Sequence, residues 1–348
     1  PGNNLVINGA MQIAQRATSI TGLGNNVFMV DRFAYRRAGL GISAVFNSEQ
    51  STDAPSGFAY SLKMTSTTGQ TLGSSGGRYM AVDYSIEGFD VASLIDSQGT
   101  FTLSFYVKMS NTGNYSVLIK PAYNGTPTFA TEFTVNSANT WEKKTITVTI
   151  STALGTWNTT TGSGLHIKFV LDADNDVATA SNNTWLATNS YGANGQEHGN
   201  VTTNATFQWA GVQLEVGTVA TPFNHRSYMQ ELALCQRYYE KSYNQGTALG
   251  ASTDVGALYA PGPTGSLTTG FLGSSQTFAV NKRAAPTMVI YSTSGNSGKC
   301  TRDNFGVGNN SNSTVLTAFN CEKMFLVYSS GSFNAQTIVY HYTADAEL

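Results

Sequence analysis

Apolar and polar residues alternate along several stretches of the chain, and this pattern predicts β-strands. Between residues 101 and 109 every second residue is apolar, and the same alternation covers 115–119 and 146–150. Successive side chains of a strand point to opposite faces of its sheet. Each of these strands should therefore have one apolar face and one face that meets water or a second layer.

A further strand is predicted over residues 207–216, but its alternation changes phase in the middle. Trp209 is apolar at an odd position, whereas Val212 is apolar at an even one. One extra residue in a β-bulge restores the facing of a strand. The sequence therefore predicts a bulge at Ala210 and Gly211.

Strands of this length, separated by Gly, Asn and Asp turns, indicate an all-β fold. We expect a jelly-roll-type β-sandwich over residues 1–222, a linker helix within 223–245 and a smaller C-terminal β tip domain over 246–348. The clearest strands of the last domain are 287–291, 324–328 and 337–342, and residues 246–270 are interpreted as a loose connector.

One segment, residues 228–243, has a convincing helical pattern. Ser227 precedes it and Gln230 follows three residues later, which is the spacing of a capping box. Four apolar or aromatic residues recur at helical spacing and form a stripe. The stripe consists of Tyr228, Leu232, Cys235 and Tyr239. It either packs on the chain's own β-domain or forms a short seam between identical chains, in which case these four residues are the trimer interface.

Charged residues make up only 11% of the chain, and the formal net charge is −2. Nucleic-acid binding depends on clustered Lys and Arg, so no nucleic-acid partner is expected. No run of 18 or more apolar residues occurs, which argues against membrane insertion. Pro1-Gly2 is not a native translational start and suggests either a tag scar or the cut edge of a longer polypeptide.

Metal and catalytic signatures are weak. The four histidines lack metal-ligand spacing, so no metal site is assigned to them. Asp172, Asp174 and Asp176 alternate and could bind calcium, but Val177 and Asn183 stand where an EF-hand needs Gly and Glu. The other interpretation is an acidic turn that caps backbone N–H groups. Gly73-Ser74-Ser75-Gly76-Gly77 has the letters of a G-x-S-x-G motif but is interpreted as a glycine loop without the strand-to-helix context of a nucleophile elbow. No repeat of 20–50 residues is found either, so the chain is predicted not to be an enzyme.

Aromatic residues in polar loops are the best functional signal. A flat ring can stack on the apolar C–H face of a sugar, while neighbouring amides and hydroxyls bind its edge. Each such ring could also anchor its own loop on the sandwich. The candidate glycan-binding residues are Trp157, Trp185, Tyr191, Phe305 and Phe333. Trp141 and Trp209 lie in strand patterns and are predicted to be core residues.

Several segments carry a resemblance to a known family. Residues 212–217, 220–223, 226–228 and 231–239 resemble the signature of bacteriophage and prophage tail-fibre proteins, and 4–9, 15–16 and 31–33 resemble the start of their β-sandwich module. Ala14 and Ala17 depart from that pattern, which more usually has an aromatic residue and a glycine. The last residues, 342–348, are similar to the natural terminus of many such fibres.

This resemblance implies a distal tail-fibre or receptor-binding protein that is made in the host bacterial cytoplasm and incorporated into the virion. Its implied partners are two further copies in a homotrimer, a bacterial surface polysaccharide and other virion tail proteins. Two alternatives are a monomeric carbohydrate-binding module or adhesin, and a capsule-degrading depolymerase or esterase. A virion structural protein without a receptor role is a third.

Overall fold

The computed structural model describes residues 4–73, 75–122, 125–178, 181–198, 200–260, 266–303, 311–314, 316–334 and 337–348. The chain forms two compact units. Unit 1 comprises residues 1–14, 18–231 and 348, and unit 2 comprises residues 15–17 and 232–347. Each unit is built from antiparallel sheets, so the prediction of an all-β fold is confirmed.

Unit 1 contains two antiparallel sheets, of six and seven strands. Its strands, in chain order, are β1 (Ser19–Ile20), β2 (Val27–Phe28), β3 (Phe33–Ala38), β4 (Val45–Ser51), β5 (Ser61–Thr68), β6 (Tyr79–Glu87), β7 (Thr100–Met109), β8 (Gly113–Lys120), β9 (Thr128–Val135), β10 (Glu142–Thr149), β11 (Ser163–Ala173), β12 (Trp185–Leu186) and β13 (Thr206–Val216). The six-stranded sheet has the order β1-β4-β5-β13-β7-β10. The seven-stranded sheet has the order β12-β9-β8-β11-β6-β3-β2.

The core of unit 1 is formed by apolar side chains from both sheets, as expected for a sandwich. On β7 the inward residues are the odd-numbered ones from Phe101 to Met109, as the alternation predicts. On β13 the register shifts between Ala210 and Gln213, and Gly211 adopts a φ of 58°. The predicted bulge is therefore confirmed, and it allows Trp209 and Val212 to face the same core.

A second helix, α1, spans Gly88–Asp96 and was not predicted. Its buried apolar residues are Val91, Leu94 and Ile95, which lie three and four positions apart. This spacing is the helical one, but the segment is only nine residues long and lies between two strong strand patterns. A short helix of this kind gives a weaker periodic signal than the strands around it.

The helix predicted after the sandwich, α2, begins at Tyr228 as expected. The capping box is confirmed, because Gln230 donates its backbone N–H to Ser227 Oγ and Ser227 donates its own to Gln230 Oε1. The helix ends at Gln236, however, and not near Tyr243. The next residues form β14 (Tyr239–Lys241), which gains strand hydrogen bonds that a longer helix would forgo.

The helical stripe does not remain available for a neighbouring copy. Leu232, Cys235 and Tyr239 are 8%, 0% and 3% exposed within the single chain, and only Tyr228 is exposed. Residues that are already buried cannot form a new hydrophobic seam without unfolding. The predicted trimer seam through Leu232, Cys235 and Tyr239 is therefore wrong. These three residues pack within the chain, which was the other interpretation of the stripe.

Unit 2 is a smaller all-β unit. After β14 its strands are β15 (Leu258–Ala260), β16 (Ser266–Thr277), β17 (Thr287–Tyr291), β18 (Lys299–Asp303), β19 (Ser311–Thr314), β20 (Leu316–Asn320), β21 (Met324–Asn334) and β22 (Thr337–Asp345). Strand β22 is the centre of one sheet and pairs with β14, β15, β17 and β18, while β16, β21 and β20 form a second sheet. The segment 246–270, interpreted as a loose connector, contains β15 and the start of β16.

Gly211 provides a direct test of the bulge. A Cβ atom there would lie 2.5 Å from the Phe58 ring, and a φ of 58° is unfavourable for a residue with a side chain. We expect Gly211→Ala to lower the free energy of unfolding of unit 1 by about 1–3 kcal/mol. Urea unfolding followed by tryptophan fluorescence reports on this unit, because all four tryptophans lie in it.

Gly24→Ala is the matched control, since its nearest neighbour would be Val27 Cγ2 at 3.7 Å. It should change the stability by less than about 0.5 kcal/mol. Equal stability of the two variants would contradict the role given to the bulge.

Candidate functional site

Two of the predicted glycan-binding residues, Trp157 and Trp185, lie together at one edge of unit 1. Their ring centroids are 5.4 Å apart at an angle of 76°, and both rings pack partly buried against the core. The indole N–H of Trp157 donates to Ser151 O at 3.2 Å, and that of Trp185 donates to Thr149 O at 2.7 Å. The bonded N–H group and the packed ring of each tryptophan fit the interpretation of a loop anchor, and glycan binding by either residue stays a prediction.

Tyr191 packs, partly buried, on a small apolar cluster on the outer face of the seven-stranded sheet. Its ring stacks on Tyr79 at 4.3 Å with an interplanar angle of 4°. The ammonium group of Lys120 lies 4.2 Å from the same ring, and that of Lys168 lies 5.5 Å from it. Tyr79 therefore covers one face of the Tyr191 ring, and the buried ammonium groups of Lys120 and Lys168 lie near the same ring.

The three aspartates proposed for calcium bind separate groups. Asp172 and Asp174 accept backbone N–H groups of Leu72 and Gly73, and Asp176 accepts those of Gly76 and Gly77. Asp174 also forms an ion pair with Arg78 at 2.7 Å. Within the described part of the chain, no group of three or more His, Cys, Asp or Glu residues is arranged to hold a metal ion. The geometry is that of the acidic turn.

The other two glycan-binding candidates belong to the last part of the chain. Phe305 lies outside the described residues. Phe333 belongs to β21, but its side chain also lies outside the described part. For both residues the sequence-based expectation therefore stays a prediction.

The outer face of the six-stranded sheet presents a site that the sequence did not indicate. Trp141 stands immediately before β10, and its ring is half-buried on this face rather than in the core, so the prediction for Trp141 is wrong. Its indole N–H lies 3.3 Å from Asp53 Oδ1. Asp53 comes from the loop after β4, and its side chain is 44% exposed.

Two further side chains fix the Asp53 carboxylate. Lys108 Nζ on β7 lies 2.8 Å from Asp53 Oδ2, and Gln208 Nε2 on β13 donates to the same oxygen at 3.2 Å. The hydrogen bond from Lys108 lowers the pKa of Asp53 from its ordinary value, so the group is ionised at neutral pH. Four elements thus bring an indole, a carboxylate, an ammonium and an amide to one open surface, which we call the Trp141 face.

Aromatic residues continue from the Trp141 face across the sheet. Tyr106 on β7 is half-buried, and its ring lies 5.6 Å from that of Phe58. Phe58 also packs against Phe223 at 4.9 Å and His225 at 5.2 Å. These rings hold the segment after β13 on the outer surface, so the Trp141 face has a firm edge on this side.

Parity along β10 is the signal that identifies Trp141. The even-numbered Ile146 and Val148 point into the core, so odd-numbered residues point outward, as the exposed Thr145 and Thr147 do. Trp141 has the outward parity. Applying the alternation to the end of the strand, and not only to its apolar centre, would have placed this ring on the surface.

A different cluster on the seven-stranded sheet has the residue types of a hydrolase triad. Ser85 Oγ lies 2.7 Å from His166 Nδ1, and His166 Nε2 lies 3.2 Å from Asp83 Oδ2. All three side chains are buried, and the cavity they help to line has a volume of about 10 Å³. That is about the space of one water probe, so no substrate fits beside Ser85.

The charges around Asp83 explain this cluster as part of the fold. Burial alone would raise the pKa of Asp83, but the charges of Lys168 and His166 and their hydrogen bonds lower it to about 2. Burial also lowers the pKa of His166, which keeps the imidazole neutral at pH 7. Lys168 Nζ lies 3.0 Å from Asp83 Oδ2, so the buried carboxylate is paired.

The chain matches no family model and no curated protein. Solved structures to which the chain is similar include the family 11 carbohydrate-binding module of Clostridium thermocellum in complex with a β-1,3-1,4-mixed-linked tetrasaccharide (13% identity, 59% of this chain and 99% of that chain, TM-score 0.30). A second is TmCBM61 in complex with β-1,4-galactotriose (8% identity, 62% of this chain and 99% of that chain, TM-score 0.26).

A third similar structure is the enzymatically active domain of tailspike protein 4 of bacteriophage CBA120. It is 11% identical, and the match covers 62% of this chain and 21% of that chain, with a TM-score of 0.31. By its own sheet topology, unit 1 is a two-sheet antiparallel sandwich. Among the described residues no helix is long and apolar enough to cross a membrane.

The buried Lys120 generates a prediction about pH. Burial, followed by the neighbouring charge of Lys168, lowers its pKa from 10.5 to about 7. Between pH 7 and 10.5 the unfolded chain therefore binds more protons than the folded one, and stability rises with pH. We expect the free energy of unfolding to increase by about 2 kcal/mol from pH 7 to pH 9 in urea titrations followed by tryptophan fluorescence.

Lys120→Met keeps a similar volume and removes the titrating group. It should flatten the rise with pH, while the control Lys63→Met, at a partly exposed position, should leave it unchanged. A rise of the same size in Lys120→Met would contradict the assignment to Lys120.

Proposed function

We propose that this protein is a non-catalytic binding protein that attaches to a glycan through the Trp141 face. The observation that carries this proposal is the half-buried Trp141 ring beside a partly exposed Asp53 carboxylate on an open sheet. A pyranose has an apolar C–H face bordered by hydroxyls, so it needs a flat ring and fixed polar groups at one surface. The Trp141 face supplies both.

Each side chain of this face has a distinct part in the proposal. The Trp141 ring stacks on the sugar, and Asp53 accepts hydrogen bonds from sugar hydroxyls. Lys108 and Gln208 hold the carboxylate in place before the ligand arrives, which reduces the ordering cost of binding. Lys108 is itself about one-fifth exposed and can donate to a sugar oxygen.

The biological setting of the proposal comes from the resemblance to tail-fibre proteins. We propose a distal tail-fibre or receptor-binding protein of a virion, whose ligand is a bacterial surface polysaccharide and whose other partners are virion tail proteins. Three copies in a homotrimer would engage one polysaccharide together, and multivalency turns weak sites into stable attachment. The trimer rests on the resemblance alone, because the helical stripe is buried within the chain.

The Trp141 face is tested by titration of a glycan selected from an array of bacterial surface polysaccharides. Trp141→Ala removes the stacking surface and Asp53→Asn weakens the acceptor, so each should lower the affinity by about tenfold, or 1.4 kcal/mol. Isothermal titration calorimetry of the full chain measures the change.

A control keeps this test specific. Phe89→Ala removes an exposed ring elsewhere in unit 1, on α1. It should bind as the unchanged protein does. Full affinity in Trp141→Ala, with loss in Trp157→Ala, would contradict the proposal.

Assembly is tested separately by sedimentation equilibrium. A homotrimer has three times the mass of the 37.0 kDa chain, and we expect that species at micromolar concentration. A single species of 37.0 kDa would contradict the trimer and favour the alternative, a monomeric carbohydrate-binding module or adhesin. Glycan binding through Trp141 would remain valid in that case.

A further inference from the structure

Unit 2 contains a polar cleft with a volume of about 270 Å³, separate from the Trp141 face of unit 1. Its floor is a row of three side chains on neighbouring strands. Tyr259 on β15 and Thr301 on β18 both pair with Val339 of β22. Residues directly opposite one another in antiparallel strands point to the same face. The Tyr259 ring is 55% exposed beside the other two.

Two loops form the walls of the cleft and are tied to each other. Thr253 donates its backbone N–H to Thr293 O at 2.8 Å, and Thr293 donates its own to Thr301 Oγ1 at 3.0 Å. His341 Nε2 lies 3.0 Å from Thr253 O, and its ring stacks on Tyr243 at 3.8 Å. The hydroxyl-bearing wall is therefore held in position without a ligand.

A glycine is required where the two loops meet. A Cβ atom on Gly295 would lie 2.0 Å from Gly250 O, and Gly295 has a φ of 82°. Only glycine satisfies both conditions. The close approach fixes the spacing between the loops that carry Thr253 and Thr293, and thus the width of the cleft.

The charge of the cleft restricts its ligand. Asp254 is the single ionisable acid among the described residues that line it, and no lysine or arginine lines it in that part of the chain. The other polar groups are hydroxyls, which both donate and accept. An anionic ligand would meet the Asp254 carboxylate without a compensating cation, whereas a neutral hydroxyl group or an ammonium would be bound.

From these observations we infer that the cleft binds one neutral or amino sugar residue, with its C–H face on Tyr259 and a pair of its hydroxyls on Asp254. The volume is slightly below the roughly 300–1,000 Å³ of sites for drug-sized ligands, which suits a single sugar unit more than a long chain. The site lies wholly within unit 2, and it does not depend on Trp141 or on the proposed function of the sandwich.

Saturation-transfer difference NMR on the full-length Trp141→Ala chain tests this inference, because that background removes the sandwich site. The probes are the methyl glycosides of glucose, galactose, N-acetylglucosamine, glucosamine and glucuronic acid. We expect saturation transfer to at least one of the first four and none to the glucuronide. Tyr259→Ala should lower the affinity for the bound glycoside by about tenfold or more, whereas Tyr259→Phe keeps the ring and should retain binding.

Asp254→Asn distinguishes specific recognition from non-specific binding. It should weaken the neutral glycoside several-fold and reduce the discrimination against the glucuronide, because the repulsion is removed. Tyr228→Ala, which removes another exposed tyrosine ring, is the control and should change nothing. The inference is overturned if no glycoside binds in a Tyr259-dependent manner, or if the glucuronide binds as well as the neutral sugars do. Failure here with intact binding at Trp141 would leave the sandwich site standing.

Discussion

The β-bulge at Ala210 and Gly211 determines which side chains of β13 enter the core of unit 1. This strand lies between β5 and β7, so an error of one residue would turn half of its side chains out of the core. With the bulge, Trp209 and Val212 both face inward, and the Phe58 ring occupies the space above Gly211. The same arrangement leaves Gln208 on the outer face, where it helps to hold Asp53 beside Trp141. The bulge in β13 thus determines which residues of this strand enter the core and which face the candidate site.

The segments that resemble tail-fibre proteins are used mainly to build the fold. Asn4 binds the backbone of β13 at Val212 and Leu214, and Arg226 donates to the carbonyl oxygens of Asn4 and Val6. Glu231 accepts hydrogen bonds from Arg226 and from the backbone N–H of Asn8. The beginning and the end of the sandwich are therefore joined by buried polar contacts. Such residues specify an architecture, and the ligand is selected by other side chains on its surface.

The sequence predicted those features that depend on residues close together along the chain. The main strands, the bulge and the capping box at Ser227 follow from alternation and from spacing along the chain. The end of α2 could not be predicted in this way, because Tyr239–Lys241 forms a strand only by pairing with β22, about a hundred residues later. The contact between Trp157 and Trp185 and the cleft beside Tyr259 could not be predicted from the sequence for the same reason, because each depends on residues that the fold brings together.

We propose that a glycan binds the outer face of the six-stranded sheet, with the Trp141 ring as its platform. A crystal structure of the full chain with a glycan selected from the array is the decisive measurement. We expect a sugar ring stacked on Trp141, with a hydroxyl within hydrogen-bond distance of Asp53. A glycan found against Trp157 and Trp185, with the Trp141 face unoccupied, would contradict it.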